Sequence, residues 1–158
     1  MSDKSNVIVS EVDEETLLEI SAQEKSGTDF LCIKENETPK EIVERIMTTV
    51  DKILESGDLS EEAVADISIQ LGVIWGKMVE KKYGWKWKRI DLGDGNSILC
   101  LLSPQEYFVC NPLYFIHKIL SGKNIAHYGE NDNTVLLLFN MLDGIENQKP
   151  SQKYQFIS

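Results

Sequence analysis

The chain has 158 residues, 42% of them hydrophobic and 27% charged, with a formal net charge of −10; this suffices for one domain with its own core (1–158) and is too short for two. The longest apolar runs, Ile98–Leu102 and Val135–Phe139, are five residues each, against the roughly 20 a membrane helix needs. Met1–Asn6 lacks the basic start and apolar stretch of a secretory signal, so no membrane partner is expected and cytoplasm is the expected compartment.

Residues 1–6 read as flexible, and the segment from Val7 to Glu37 as strands. Val7-Ile8-Val9 and Phe30-Leu31-Cys32-Ile33 are the apolar candidates, Thr16–Ile20 fits a strand or a helical turn, and Ser26-Gly27-Thr28-Asp29 is a turn signal. From Thr38 the pattern sharpens. Thr38-Pro39-Lys40-Glu41 combines a hydroxyl N-cap, proline at the first helical position and glutamate three residues after the cap. Ile42, Ile46, Val50, Ile53 and Leu54 then recur at helical spacing until Gly57. Ser60 opens a second helix with Glu61 and Glu62 in its first turn, a stripe of Val64, Ile67, Leu71, Ile74, Trp75 and Met78, and Lys81-Lys82 before Gly84. The short link between them predicts an antiparallel helical hairpin. Gly72 and Gly76, one turn apart, each cost roughly 1 kcal/mol of helix propensity against alanine, which points to close approach of another backbone.

After Gly84, Trp85 and Trp87 alternate with Lys86 and Lys88 as a half-buried strand. The phase then shifts at Ile90 and Leu92, which implies a bulge near Lys88-Arg89 or a strand covered on both faces. Gly93-Asp94-Gly95-Asn96 is a hairpin turn, Ser97–Leu102 a central strand and Tyr107–Cys110 a third, giving an antiparallel meander. Asn111-Pro112 caps a short helix reaching Ile119 or Leu120. Residues 123–132 form a polar loop, Val135–Phe139 reads as a helix or a buried strand, and about 147–158 as a flexible tail. The fold class is α+β: a helical hairpin packed on a meander sheet, with further short helices towards the C-terminus.

Chemistry is sparse. Cys32, Cys100 and Cys110 sit among apolar neighbours without metal-binding spacing, and read as buried thiols. His117 lies on the apolar seam of its helix with Leu113, Ile116 and Leu120, and His127 in the polar loop. The glycines of 93–96 precede a strand, whereas a dinucleotide loop needs a helix there. Glu130-Asn131-Asp132-Asn133 lacks the glycine and distal glutamate of a calcium loop. No catalytic residue, metal or cofactor is assigned. Lys77, Lys81, Lys82, Lys86, Lys88 and Arg89 interleave with Tyr83, Trp85 and Trp87, a composition that suits single-stranded nucleic acid. Helix-end complementarity and core tryptophans explain the same residues, and on a chain of charge −10 no nucleic-acid partner is expected.

Charge is segregated. Residues 1–66 carry 18 acidic and 6 basic side chains, a net of −12, whereas residues 67–158 carry 8 and 10, a net of +2. An acidic half of this size attracts basic partners.

The string Leu71-Gly72, Trp75-Gly76, Tyr83-Gly84-Trp85, Trp87, Asp94-Gly95 and Asn111-Pro112-Leu113 with Ile116 and Lys118 resembles a family of small bacterial α+β domains. It is also similar to immunity proteins of contact-dependent growth inhibition and related polymorphic toxin systems. The likeness covers about residues 60–120 and brings no catalytic residue with it. It implies a cytoplasmic immunity protein that neutralises a cognate toxin domain, a nuclease with a basic groove, through an acidic surface. Asp13, Glu14, Glu15, Asp58, Glu61 and Glu62 are the candidate contacts. Two other readings stay open: a small-ligand or adaptor domain using the Gly72/Gly76 notch and the Trp85/Trp87 face, and an enzyme assembled around His117, Tyr114 and Glu106.

Overall fold

The computed structural model describes residues 7–57, 59–121, 134–145 and 154–157. Its elements run β1 (Ile8–Ser10), α1 (Glu14–Leu31), α2 (Pro39–Ser56), α3 (Glu61–Tyr83), β2 (Lys86–Asp91), β3 (Ser97–Leu102), β4 (Phe108–Cys110), α4 (Pro112–Leu120), α5 (Val135–Met141) and β5 (Gln155–Phe156). The class is α+β, as the sequence predicts. α2 and α3 start and stop, and α4 starts, where their local chemistry says. Thr38 and Glu41 form a reciprocal capping box, Ser60 caps Ala63 N–H, Asn111 caps Tyr114 N–H, and Gly57 and Gly84 close α2 and α3 in the left-handed conformation.

The N-terminal segment corrects the sequence reading. Only Ile8–Ser10 is a strand, and residues 14–31 form an 18-residue helix. Asp13 caps it by accepting the Thr16 N–H at 3.2 Å, and Glu14 and Glu15 occupy its positive end. Gly27, which resembles a turn residue, lies inside the helix because α1 crosses α3 there: a Cβ at this position would stand 2.7 Å from Ile74 Cγ1 and 3.0 Å from the Gln70 carbonyl oxygen. Phe30 and Leu31 are the last turn rather than a strand. Cys32 is the left-handed cap (φ 56°) and is exposed, which corrects its assignment as a buried thiol. The Arg45 guanidinium of α2 reaches the Leu31 and Cys32 carbonyls at 3.4 and 3.5 Å and pairs with Glu37. That cation serves the negative end of α1, whose own last turn has no base.

The sheet has the order β1-β2-β3-β4-β5. The predicted meander of β2, β3 and β4 is its antiparallel centre, with β1 added antiparallel to β2 and β5 added parallel to β4. Part of the tail expected to be flexible therefore supplies an edge strand. Pairing of β2 with β3 is continuous from Lys86↔Leu102 to Asp91↔Ser97, so no bulge interrupts it. The phase shift has the other cause: Trp87 and Leu101 face the helices, whereas Ile90, Cys100, Leu102 and Val109 form a second apolar cluster on the far face with Val9 and Phe156 packed against it.

α3 runs through the middle of the molecule, and every residue from Leu71 to Gly76 is buried. A helix apolar on all sides needs neighbours on all sides, and the two glycines admit them. A Cβ on Gly72 would meet Leu113 Cα at 2.8 Å, and one on Gly76 the Trp87 ring at 2.5 Å. The former is the close approach of a second backbone that the sequence implies. Trp75 Nε1–H donates to the Val135 carbonyl at 3.1 Å and Tyr83 Oη–H to the Phe139 carbonyl at 2.9 Å. These bonds tie α5 to α3. The open choice at residues 135–139 resolves to helix because Val135, Leu138, Phe139 and Leu142 are buried at helical spacing.

Gly72→Ala and Gly76→Ala each insert a methyl where no space exists. Each is expected to lower stability by about 1–3 kcal/mol even though alanine gains roughly 1 kcal/mol in helix propensity. The check is a lower urea midpoint at unchanged slope.

Candidate functional site

The acidic residues picked out by sequence sit at helix starts. Asp13 is the α1 cap, Glu14 and Glu15 follow it, and Glu61 and Glu62 open α3; Asp58 lies outside the described residues. Asp13 is already engaged: its hydrogen bonds from Thr16 hold its carboxyl below the ordinary aspartate range. Glu14, Glu15, Glu61 and Glu62 are exposed. The two groups do not touch. Thr16 of α1 lines the same groove as Val73, twelve residues along α3 from Glu61, a rise of roughly 18 Å.

A groove lies between them. Its volume is about 280 Å³, and its walls come from α1 (Ile20, Ala22), α3 (Ile69, Val73), β3 (Leu99) and α4 (Leu113). Sequence spacing explains its acidic margins. Glu62, Asp66, Ile69 and Val73 fall at i, i+4, i+7 and i+11 on one face of α3, so the α3 wall runs from apolar to acidic towards the N-terminus. Across the groove, Glu19 lines the α1 wall and Glu15 stands one turn before it. Leu18, one turn before Ala22, is 66% exposed. Glu19, Asp66 and the apolar floor were missing from the sequence-derived site. The α3 half was legible from its spacing; the α1 half was hidden once that segment was read as strands.

The other constellations are dispersed or filled. Trp85 and Trp87 are 2% and 9% exposed, and Trp87 occupies the space that Gly76 leaves, so the notch is filled from within. His117 lines a cleft of about 410 Å³ with Glu61, Val64, Leu120 and Ser121. Tyr114 is exposed with Lys118 over its ring at 5.5 Å, and Glu106 accepts a hydrogen bond from Tyr154 Oη at 3.1 Å. Tyr114 and His117 lie one turn apart on α4, and of the three residues only His117 lines the cleft. His127 and the 130–133 segment lie outside the described residues. Among the described residues no group of three or more His, Cys, Asp or Glu could hold a metal ion, and no helix is long and apolar enough to cross a membrane.

Burial pushes the Cys100 thiol up to about 12, so it is no nucleophile near neutrality. Glu80, on α3, is also raised: desolvation is the largest cause, opposed by the Lys77 charge and by a hydrogen bond with Trp87. Comparison with family models, curated proteins and solved structures returns no match.

Two outcomes follow from these environments. In the folded chain a thiol-specific chromogenic disulfide reagent should titrate one equivalent, at exposed Cys32, with Cys100 and Cys110 reacting only on unfolding. Because folding raises the Glu80 pKa, the folded state holds that proton more tightly than the unfolded one. The native state is therefore favoured below the ordinary value near 4.5 and loses that advantage as pH rises through the folded value. Glu80→Gln keeps an acceptor for Trp87, and its urea midpoint should exceed that of the parent at pH 7 and converge with it below about pH 4.

Proposed function

We propose that the chain is an immunity protein that binds a cognate bacterial toxin domain and neutralises it by covering a basic active-site groove of the kind found in nucleases. The observation that carries this reading is the acidic outer layer. α1 bears five acidic side chains against one basic, of which Glu14, Glu15, Glu19 and Asp29 are exposed, and α2 adds exposed Glu41, Glu44, Asp51 and Glu55. Three ion pairs are formed among the described residues, by Glu37 with Arg45, Glu24 with Lys77 and Glu11 with Lys88. The exposed acids of α1 and of the α3 start take no part in them.

Such a layer acts in two ways on a cationic partner. It raises the encounter rate through long-range attraction, and it competes with phosphates for the same guanidinium and ammonium groups. Affinity then depends on desolvated anchors rather than on the exposed charges, each of which contributes little by itself. The resemblance over residues 60–120 supports the same reading. Cytoplasmic residence belongs to it, since an inhibitor of an incoming nuclease must meet it beside the nucleic acid.

The reading requires a toxin-like domain encoded by a neighbouring gene, and that domain is the test. The purified pair should form a stable complex and nuclease activity should disappear at equimolar inhibitor. The quadruple variant Glu14→Gln, Glu15→Gln, Glu61→Gln, Glu62→Gln should slow association by about tenfold, and raising the salt concentration should shrink that difference. A pair that neither associates nor suppresses activity overturns the proposal.

A further inference from the structure

We infer that the groove between α1, α3 and α4 is the anchoring seat for a basic amphipathic helix of the partner, a reading that rests on the inhibitor function proposed above. The floor is apolar and contributed by separate elements: Ile20 of α1, Ile69 and Val73 of α3, Leu99 of β3 and Leu113 of α4. Apart from Val73 these are only partly buried, so the groove retains apolar surface that a ligand could remove from water. The volume of about 280 Å³ suits side chains rather than a whole domain. The lining runs from Thr16 to Gln23 along α1, seven residues and roughly 10 Å, the length of two turns of a partner helix.

Charge commits the occupant. Glu19 lines the groove; Glu15 stands one turn before it, Asp66 and Glu62 continue the α3 face that carries Ile69 and Val73, and all four are exposed, while Arg89, the base beside Leu99, is engaged with Thr16 at 3.1 Å. The α3 bases lie further on, from Lys77, and Lys118 of α4 is held over the Tyr114 ring. A helix with leucine-like residues at i, i+3 and i+4 and lysine or arginine along both flanks matches this floor and these margins together. An acidic or purely polar segment would meet like charge on both sides. The acids govern how fast such a helix arrives, and the floor governs how long it stays.

Two probes separate this inference from the function on which it rests: the toxin domain that the function requires, and a synthetic 14-residue leucine/lysine amphipathic helix. With ¹⁵N-labelled full-length chain, the peptide should shift amides in residues 18–23 and 69–73 and at Leu113. Ala22→Glu is the discriminating substitution, because it fills the groove while adding an acid. Seating requires affinity for the peptide to fall about tenfold, whereas attraction by charge alone would leave affinity unchanged or increase it. Ile20→Ala, in the apolar floor, should weaken binding about threefold. Glu55→Lys on α2 changes the net charge by two units, against one for Ala22→Glu, and should change affinity less. Unfolding midpoints near the parent's confirm that the variants fold. Peptide shifts spread over the acidic surface, or affinity undiminished by Ala22→Glu, overturns the groove. A toxin domain that binds the parent and the Ala22→Glu variant equally also overturns it and leaves the inhibitor function standing. A toxin domain that does not bind, beside a peptide that maps to the groove and is lost in Ala22→Glu, removes the inhibitor function and retains the groove.

Discussion

The rest of the molecule depends on α3 having no solvent face through its middle. Six consecutive buried residues, Leu71 to Gly76, mean that α1, α2, α4, α5 and the sheet must all be accommodated around one cylinder about 10 Å across. Two positions make that possible. At Gly72 the backbone of α4 comes within what would be van der Waals overlap with any side chain, and at Gly76 the Trp87 ring does the same from the sheet. The tryptophan then finds a hydrogen-bond partner in Glu80, one turn on from Gly76. Helix propensity is sacrificed twice along α3, and the contacts admitted in exchange connect the helical layer to the sheet.

How much of this was legible in the sequence depended on whether the determining chemistry was local. The capping box at Thr38, the glycines at 57 and 84, the Ser60 cap and the Asn111-Pro112 start place five helix ends correctly because a cap is a contact between residues three or four apart. α1 was misread because only Thr16, Gly27 and Leu31 are buried along its 18 residues. Its surface carries Leu17, Leu18 and Phe30 in partly exposed positions, so no apolar stripe stands out. Gly27 worsened the misreading: its role is to let two helices cross, a long-range demand that looks like a turn from within the chain. The parallel pairing of β5 with β4 depends on residues more than forty positions apart, which no local pattern reports.

The candidate site divides along the same line. Exposed acids are visible in any acidic sequence, and so is their clustering at helix starts. What composition could not supply is the apolar floor, because Ile20, Ile69, Leu99 and Leu113 come from four elements and meet only after α1 is folded against α3 and α4. The acids alone would describe a soluble surface. Set beside an apolar groove that Glu19 itself lines, they give the proposed seat a sign.

The way α1 is attached has a consequence of its own. Only Thr16, Gly27 and Leu31 are buried along it, and polar contacts, Glu24 with Lys77, Thr16 with Arg89 and the Arg45 cap, supply much of the rest, so its local opening is expected at a lower free energy than unfolding of the whole domain. One wall of the channel is made by this helix. Occupancy and closure of α1 are then thermodynamically linked: a guest that bridges α1 and α3 withdraws population from the detached form, and amide protons along residues 14–31 exchange more slowly in proportion to its free concentration.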